Sequence, residues 1–112
     1  MYVLKQSTQP SFEKVGIKGK IFPTKELVGE DAGYVLVETA TGHETTIIEH
    51  ESIFTYYILE GSGYFEINDE REDCAAGDLV VVPKGAKFTY KGKLKMLLIT
   101  TPAWREEQEE TV

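Results

Sequence analysis

One cysteine, Cys74, is the whole thiol content of this sequence. No intramolecular disulfide can form, and no thiolate metal cluster can be built within one chain. A small domain without disulfides suits a reducing compartment. Long apolar runs are missing as well. The longest, "LVVV" (79–82) and "MLLI" (96–99), fall far short of the roughly 18 apolar residues that a membrane-crossing helix needs. The opening "MYVLKQSTQP" has no apolar core of the kind that marks a secretory leader. Positive charge is in deficit: 12 Lys and Arg stand against 19 Asp and Glu, a formal charge of −7. A net negative surface disfavours non-specific contact with nucleic acid or anionic lipid. The expectation is therefore a cytoplasmic protein with no nucleic-acid and no membrane partner. Part of the acid is concentrated in "REEQEE" (105–110), which reads as a solvated tail within the polar stretch 103–112.

What is present is β-forming. The chain of 112 residues is 41% hydrophobic and 11% aromatic, enough for one core in a single domain spanning 1–112. Short segments rich in Val, Ile, Tyr, Phe and Thr recur at 15–22, 33–40, 44–50, 53–59, 63–67, 72–76, 78–82, 87–90 and 94–100. Turn chemistry separates them at "EGSG" (60–63), "INDE" (67–70), "AAGD" (75–78), "PKGA" (83–86) and "KGK" (91–93). "EGSG" and "KGAK" lead into no helix, so they are turns and not phosphate loops. The pattern predicts an all-β sandwich or barrel. By itself it does not choose between a jelly roll, an OB-fold and an immunoglobulin-like sandwich.

Two stretches narrow the choice. In "GHETTIIEHESIFTYYILEGSG" (42–63) and "GDLVVVPKGAKF" (77–88), the glycines, the proline and their spacing resemble the two motifs of the cupin superfamily. That resemblance implies a double-stranded β-helix, the jelly-roll barrel, with a central cavity. It also implies a homodimer, since cupins often pair through their sheets. Metal-binding members carry His at the positions matching 48 and 50, Glu at 54 and His at 88. Here those positions are Ile48, His50, Phe54 and Phe88. Isoleucine and phenylalanine offer no lone pair to a first-row metal. The expectation is no metal and no cofactor.

If 48 and 50 face the cavity, strand alternation adds Thr46 on the same face and sends His43 and Glu49 outward. Tyr56, Ile58, Phe65, Ile67 and Tyr90 also point inward on this scheme, with Tyr64 and Glu66 outward. The last strand offers either Leu94, Met96 and Leu98 or Lys95, Leu97 and Ile99. The expected ligand-binding set is thus Thr46, Ile48, His50, Phe54, Tyr56, Phe88 and Tyr90, with His50 and Tyr56 catalytic if the protein is an enzyme. Trp104 reads as a lid or dimer contact, and Cys74 as inert. Three functions fit these residues. One is a metal-independent cupin that binds a small, largely apolar molecule, with neutral or cationic ligands favoured by the acidic surface. Another is a metal-free isomerase or epimerase that uses a His–Tyr acid–base pair. The third is a structural or dimerisation module with a filled barrel. Only two arginines, Arg71 and Arg105, are available, and neither is expected in the cavity to hold a phosphate.

Overall fold

The computed structural model describes residues 2–6, 9 and 11–112. Of the amino-terminal stretch read above for a leader, residues 1, 7, 8 and 10 lie outside the described residues. The chain forms β1 (Ser11–Lys14), β2 (Ile17–Phe22), a single helical turn α1 (Lys25–Val28), β3 (Gly33–Thr39) and β4 (Ile47–Glu49). Then come β5 (Ile53–Ile67), β6 (Glu70–Ala75), β7 (Leu79–Val82), β8 (Lys87–Thr101) and β9 (Glu109–Thr111). All pairings are antiparallel. The strands run β1-β2-β3-β8-β4-β9, and β5 joins β8 along its other edge while also pairing β6 and β7. The sheet curls on itself as the expected jelly-roll barrel. No helix among the described residues is long and apolar enough to cross a membrane.

Two long strands, β5 and β8, make the wall that the rest is hung on. They pair from Ile53↔Thr101 to Ile67↔Phe88. The sequence reading cut each of them in two, placing turns at 60–63 and 91–93. The glycines there have a different purpose. A Cβ on Gly61 would lie 1.9 Å from the Lys93 carbonyl oxygen, and one on Gly63 would lie 2.0 Å from that of Lys91. Gly63 faces Gly92 in the register. These residues let two backbones cross closely, with no reversal of the chain. A bulge between Ile58 and Glu60 then shifts the alternation by one residue. Inward positions are therefore even before it (Phe54, Tyr56, Ile58) and odd after it (Phe65).

Other turns behave as read. Asn68 and Asp69 both take positive φ, 49° and 69°, in the hairpin between β5 and β6. On β8 the open question of parity is resolved in favour of Leu94, Met96 and Leu98, all buried. Cys74 is buried and free, and burial pushes its thiol pKa up, consistent with an unreactive side chain.

The acidic carboxyl-terminal stretch is not the solvated tail expected from its charge. β9 pairs with β4 in the register Ile47↔Thr111, Ile48↔Glu110, Glu49↔Glu109. Gln108, just ahead of it, is buried. Alternation explains how a charge run can be part of a fold: Glu110 turns outward while Glu109 is half-buried on the inner side.

Candidate active site inside the barrel

The orientation of β4 decides which residues meet in the barrel. Ile47 pairs with Phe88, and cross-strand partners share a face. Ile47 and Glu49 are accordingly buried at 3% and 1% exposure, whereas Ile48 is half-buried and His50 exposed. The sequence reading had this parity reversed. β4 is only three residues long, and residues 43–46 ahead of it are loop, so alternation could not be counted back from 50 to 44. A slip of one residue exchanges the two faces of a strand. His50 sits outside, its Nε2 2.8 Å from Glu110 Oε2, with both side chains about half exposed. Thr46 lies at the strand entrance, where its carbonyl accepts from the Val112 amide at 2.9 Å. Of the seven expected binding residues, the barrel brings together Phe54, Tyr56, Phe88 and Tyr90. It leaves Thr46, Ile48 and His50 off the inner face.

His43 takes the place that His50 was expected to fill. Gly42 has φ +119°, and a Cβ there would meet the Tyr90 carbonyl oxygen at 2.4 Å. This close approach lets the His43 amide donate to that same carbonyl at 2.8 Å, which pins the loop to β8. The imidazole then stands edge-on to the Tyr90 ring, with centroids 5.5 Å apart, and His43 is 6% exposed. Its Nδ1 lies 2.7 Å from the Thr45 carbonyl oxygen. A carbonyl only accepts, so Nδ1 carries the proton. The longer approach of the Thr45 amide to Nδ1, 3.2 Å, belongs to the opposite tautomer and is the weaker contact. Nε2 keeps its lone pair and meets no hydrogen-bond partner among the described residues. Burial lowers the imidazole pKa below its usual 6.5; the Thr45 bond opposes this, and the Lys91 and Lys14 charges assist it. At neutral pH His43 is an uncharged acceptor.

Beside it the aromatic rings form one cluster. Tyr56 is 5.6 Å from Tyr90 and 5.1 Å from Phe65, and Phe54 is 5.8 Å from Phe88. Tyr56 and Tyr90 are 2% and 1% exposed. Burial pushes both phenol pKa values up, and the Glu109 carboxylate adds to the effect on each. Both hydroxyls therefore stay protonated, and neither has a hydrogen-bond partner among the described residues. Glu109 itself has a raised pKa, chiefly through burial and against the pull of Lys14. The Lys14 ammonium lies over the Trp104 ring at 5.0 Å. An unpaired imidazole lone pair and two unpaired phenol donors on neighbouring buried rings have the make-up of an acid–base set.

Sequence reasoning missed His43, Glu49, Glu109 and Lys14. The one available signal was that the opposite parity of 44–50 also places a titratable residue inward, at Glu49. The family's usual metal does not fit these residues. Positions 48 and 50 face outward, 54 and 88 are packed phenylalanines, and no three His, Cys, Asp or Glu side chains converge among the described residues. A surface groove of about 810 Å³, bordered by Ile17, Lys18, Thr39, Gly61 and Leu94, includes none of His43, Tyr56 and Tyr90 in its lining.

Residues 35–100 match the family model of the cupin domain. This chain is a cupin. No curated protein sequence matches it. Among solved structures, Pac13 from Streptomyces in complex with uridine, as a histidine-to-glutamine variant, superposes with a TM-score of 0.92 at 29% identity. That alignment covers 100% of this cupin and 91% of the Pac13 chain. A further Pac13 structure, described as that of a unique nucleoside dehydratase, is 30% identical over the same shares. Two more uridine complexes carry tyrosine-to-phenylalanine changes. The three altered Pac13 positions are separated by 13 and then 34 residues, the intervals from His43 to Tyr56 and from Tyr56 to Tyr90 here. Oxalate decarboxylase from Bacillus subtilis, 20% identical with a TM-score of 0.78, covers 97% of this cupin and 31% of its own chain. With it this cupin shares the fold.

Proposed function

We propose that this cupin binds a nucleoside in its barrel and eliminates water from it, with His43 as general base and Tyr56 and Tyr90 as hydrogen-bond donors. One observation carries this reading. A neutral, tautomer-fixed histidine with a free Nε2 stands against two unpartnered tyrosines, in the same order and at the same intervals as the residues altered in the Pac13–uridine complexes. Elimination of water needs a base for a C–H proton and a donor for the departing hydroxyl. The C–H electron pair becomes the new C=C bond as the neighbouring C–O bond breaks, and the proton held on His43 returns to the medium or to the leaving oxygen. An imidazole with a lowered pKa is a weak base, so the C–H must be acidified by an adjacent carbonyl. The phenols supply hydrogen bonds to the oxygen on which negative charge develops.

The surroundings favour an uncharged guest. Phe54, Phe65 and Phe88 line the site with aromatic faces suited to a flat base. Both arginines are exposed, Arg71 stacked on Tyr64 at 3.7 Å and Arg105 paired with Glu51 at 2.7 Å. Neither is placed to hold a phosphate in the barrel, which favours a nucleoside over a nucleotide.

The test is calorimetric titration with uridine. Wild-type protein should bind it, and Tyr56→Phe and Tyr90→Phe should each weaken binding by about five- to tenfold at unchanged thermal stability, the worth of one hydrogen bond. Absence of any heat or thermal shift with uridine and related nucleosides removes this reading. A homodimer, expected from family resemblance, is part of the proposal. Tyr57 and Leu79 are paired on the outer face of β5 and β7 and exposed at 43% and 61%, so a second copy would cover them. Sedimentation equilibrium at the mass of one chain, at high micromolar concentration, rules the dimer out.

A further inference from the structure

Three enclosed polar atoms have no hydrogen-bond partner among the described residues: Glu49 Oε2, Gln108 Oε1 and, two residues beyond the Pro102 carbonyl that their network reaches, Trp104 Nε1. Two are acceptors and one is a donor. Glu49 and Gln108 are themselves only 1% and 5% exposed. Leaving a carboxylate oxygen or an amide oxygen dry and unpaired is among the costlier features a fold can carry. The donors that reach Glu49 serve its other oxygen. Glu49 Oε1 receives the amides of Glu51 and Ser52, at 3.1 and 3.2 Å, and Gln108 Nε2 at 2.5 Å. Gln108 Nε2 also donates to Ser52 Oγ at 2.7 Å, and Ser52 Oγ donates to the Pro102 carbonyl at 2.8 Å. This network orients the Gln108 amide. Turning it over would set its oxygen against a carboxylate oxygen. The two acceptors are thus fixed in place, and no donor among the described residues reaches them.

We propose that Glu49 Oε2 and Gln108 Oε1 receive the imide N–H of a uracil-type base, with Trp104 Nε1 donating to a neighbouring ring carbonyl. An imide presents one N–H, which two fixed acceptors can share, with a carbonyl beside it that can accept from the indole. A cytosine ring presents an acceptor at the same nitrogen, which a carboxylate repels. This assignment rests on the nucleoside reading above and deepens it. It also agrees with the layout of the site. Along β8, His43 is held at Tyr90, whereas the Glu49 carbonyl accepts from the Gly85 amide, ahead of the start of that strand. The sugar would then be directed toward His43 while the base is held at β4 and β9.

The experiment compares uridine, 3-methyluridine and cytidine by calorimetric titration. Wild-type protein should prefer uridine over both others by about tenfold or more, since methylation removes the donor and cytidine reverses it. Glu49→Gln, which places an N–H beside the base, should reduce that preference to within about threefold. Equal binding of uridine and 3-methyluridine by wild type overturns this inference and leaves the nucleoside reading standing. Failure to bind any of the three overturns both. An unaltered preference in Glu49→Gln would show that the carboxyl serves only to hold residues 50–52, and would also overturn it. The wild-type comparison decides even if that variant fails to fold.

Discussion

Replacing His43 by glutamine is expected to lower turnover of a carbonyl-activated nucleoside by about 10²–10⁴-fold, the usual worth of a positioned general base. Glutamine can still donate to the Thr45 carbonyl, so the loop should hold and the circular dichroism spectrum and melting curve should change little. His50→Ala, made in parallel, should leave activity within about twofold, because its ring is on the outer surface paired with Glu110. The opposite ranking of the two histidines would return the site to the face first read from the sequence.

The pH profile adds a second readout on the same residue. Burial holds the His43 pKa below 6.5, so kcat/KM should rise through an acid limb below that value and stay level through neutrality. With both phenols raised above 10, no alkaline limb from their ionisation is expected in the ordinary working range. Stability follows with a defined sign. The unfolded chain binds this proton more tightly than the folded one, so stability is complete above pH 6.5 and declines as pH falls toward the lowered folded value. His43→Gln should remove both the acid limb and that part of the stability loss. An acid limb that survives the substitution would assign it to another group.

Gly63→Ala should cost more stability than any surface change in this protein. Its Cβ would lie 2.0 Å from the Lys91 carbonyl oxygen and 3.1 Å from the Gly92 Cα. Those are backbone atoms, which cannot rotate away as a side chain would. Relief requires β5 and β8 to separate at their crossing, and about 3 kcal/mol or more should be lost. Gly77→Ala is the control. It has φ +95° and nothing within 4 Å of the built Cβ, so only the backbone strain of about 1–2 kcal/mol applies. Urea titrations would separate the two. Similar midpoints for both variants would mean that the β5–β8 crossing can relax, and that Gly63 serves only as a flexible residue.

These two sites also show where reading a sequence stops. Glycine at 61, 63 and 92 signals that a side chain cannot be accommodated, but it does not say whether the reason is a turn or a neighbouring strand. Both produce the same letters. The turn interpretation cut β5 and β8 in half and still placed Phe65 on the inner face, because the bulge after Ile58 changes parity as a hairpin would have done. The acidic stretch at 105–110 misled for a related reason. Charge density describes the average environment of a segment, whereas β9 needs only that alternate residues differ, and Glu109 and Glu110 look alike on paper.

The cupin motifs, the strand-rich composition and the phenylalanines at 54 and 88 were enough to establish the barrel and an aromatic interior. These depend on local chemistry: which residues tolerate positive φ and which suit a pleated strand. Which histidine is buried against the barrel's aromatic cluster was decided by tertiary structure. It depends on the pairing of Ile47 with Phe88 and on Gly42 lying against β8, contacts between segments more than forty residues apart. Alternation repeats every two residues, so a three-residue strand cannot set its own phase. Only the partner strand does that, and with it the choice between His43 and His50.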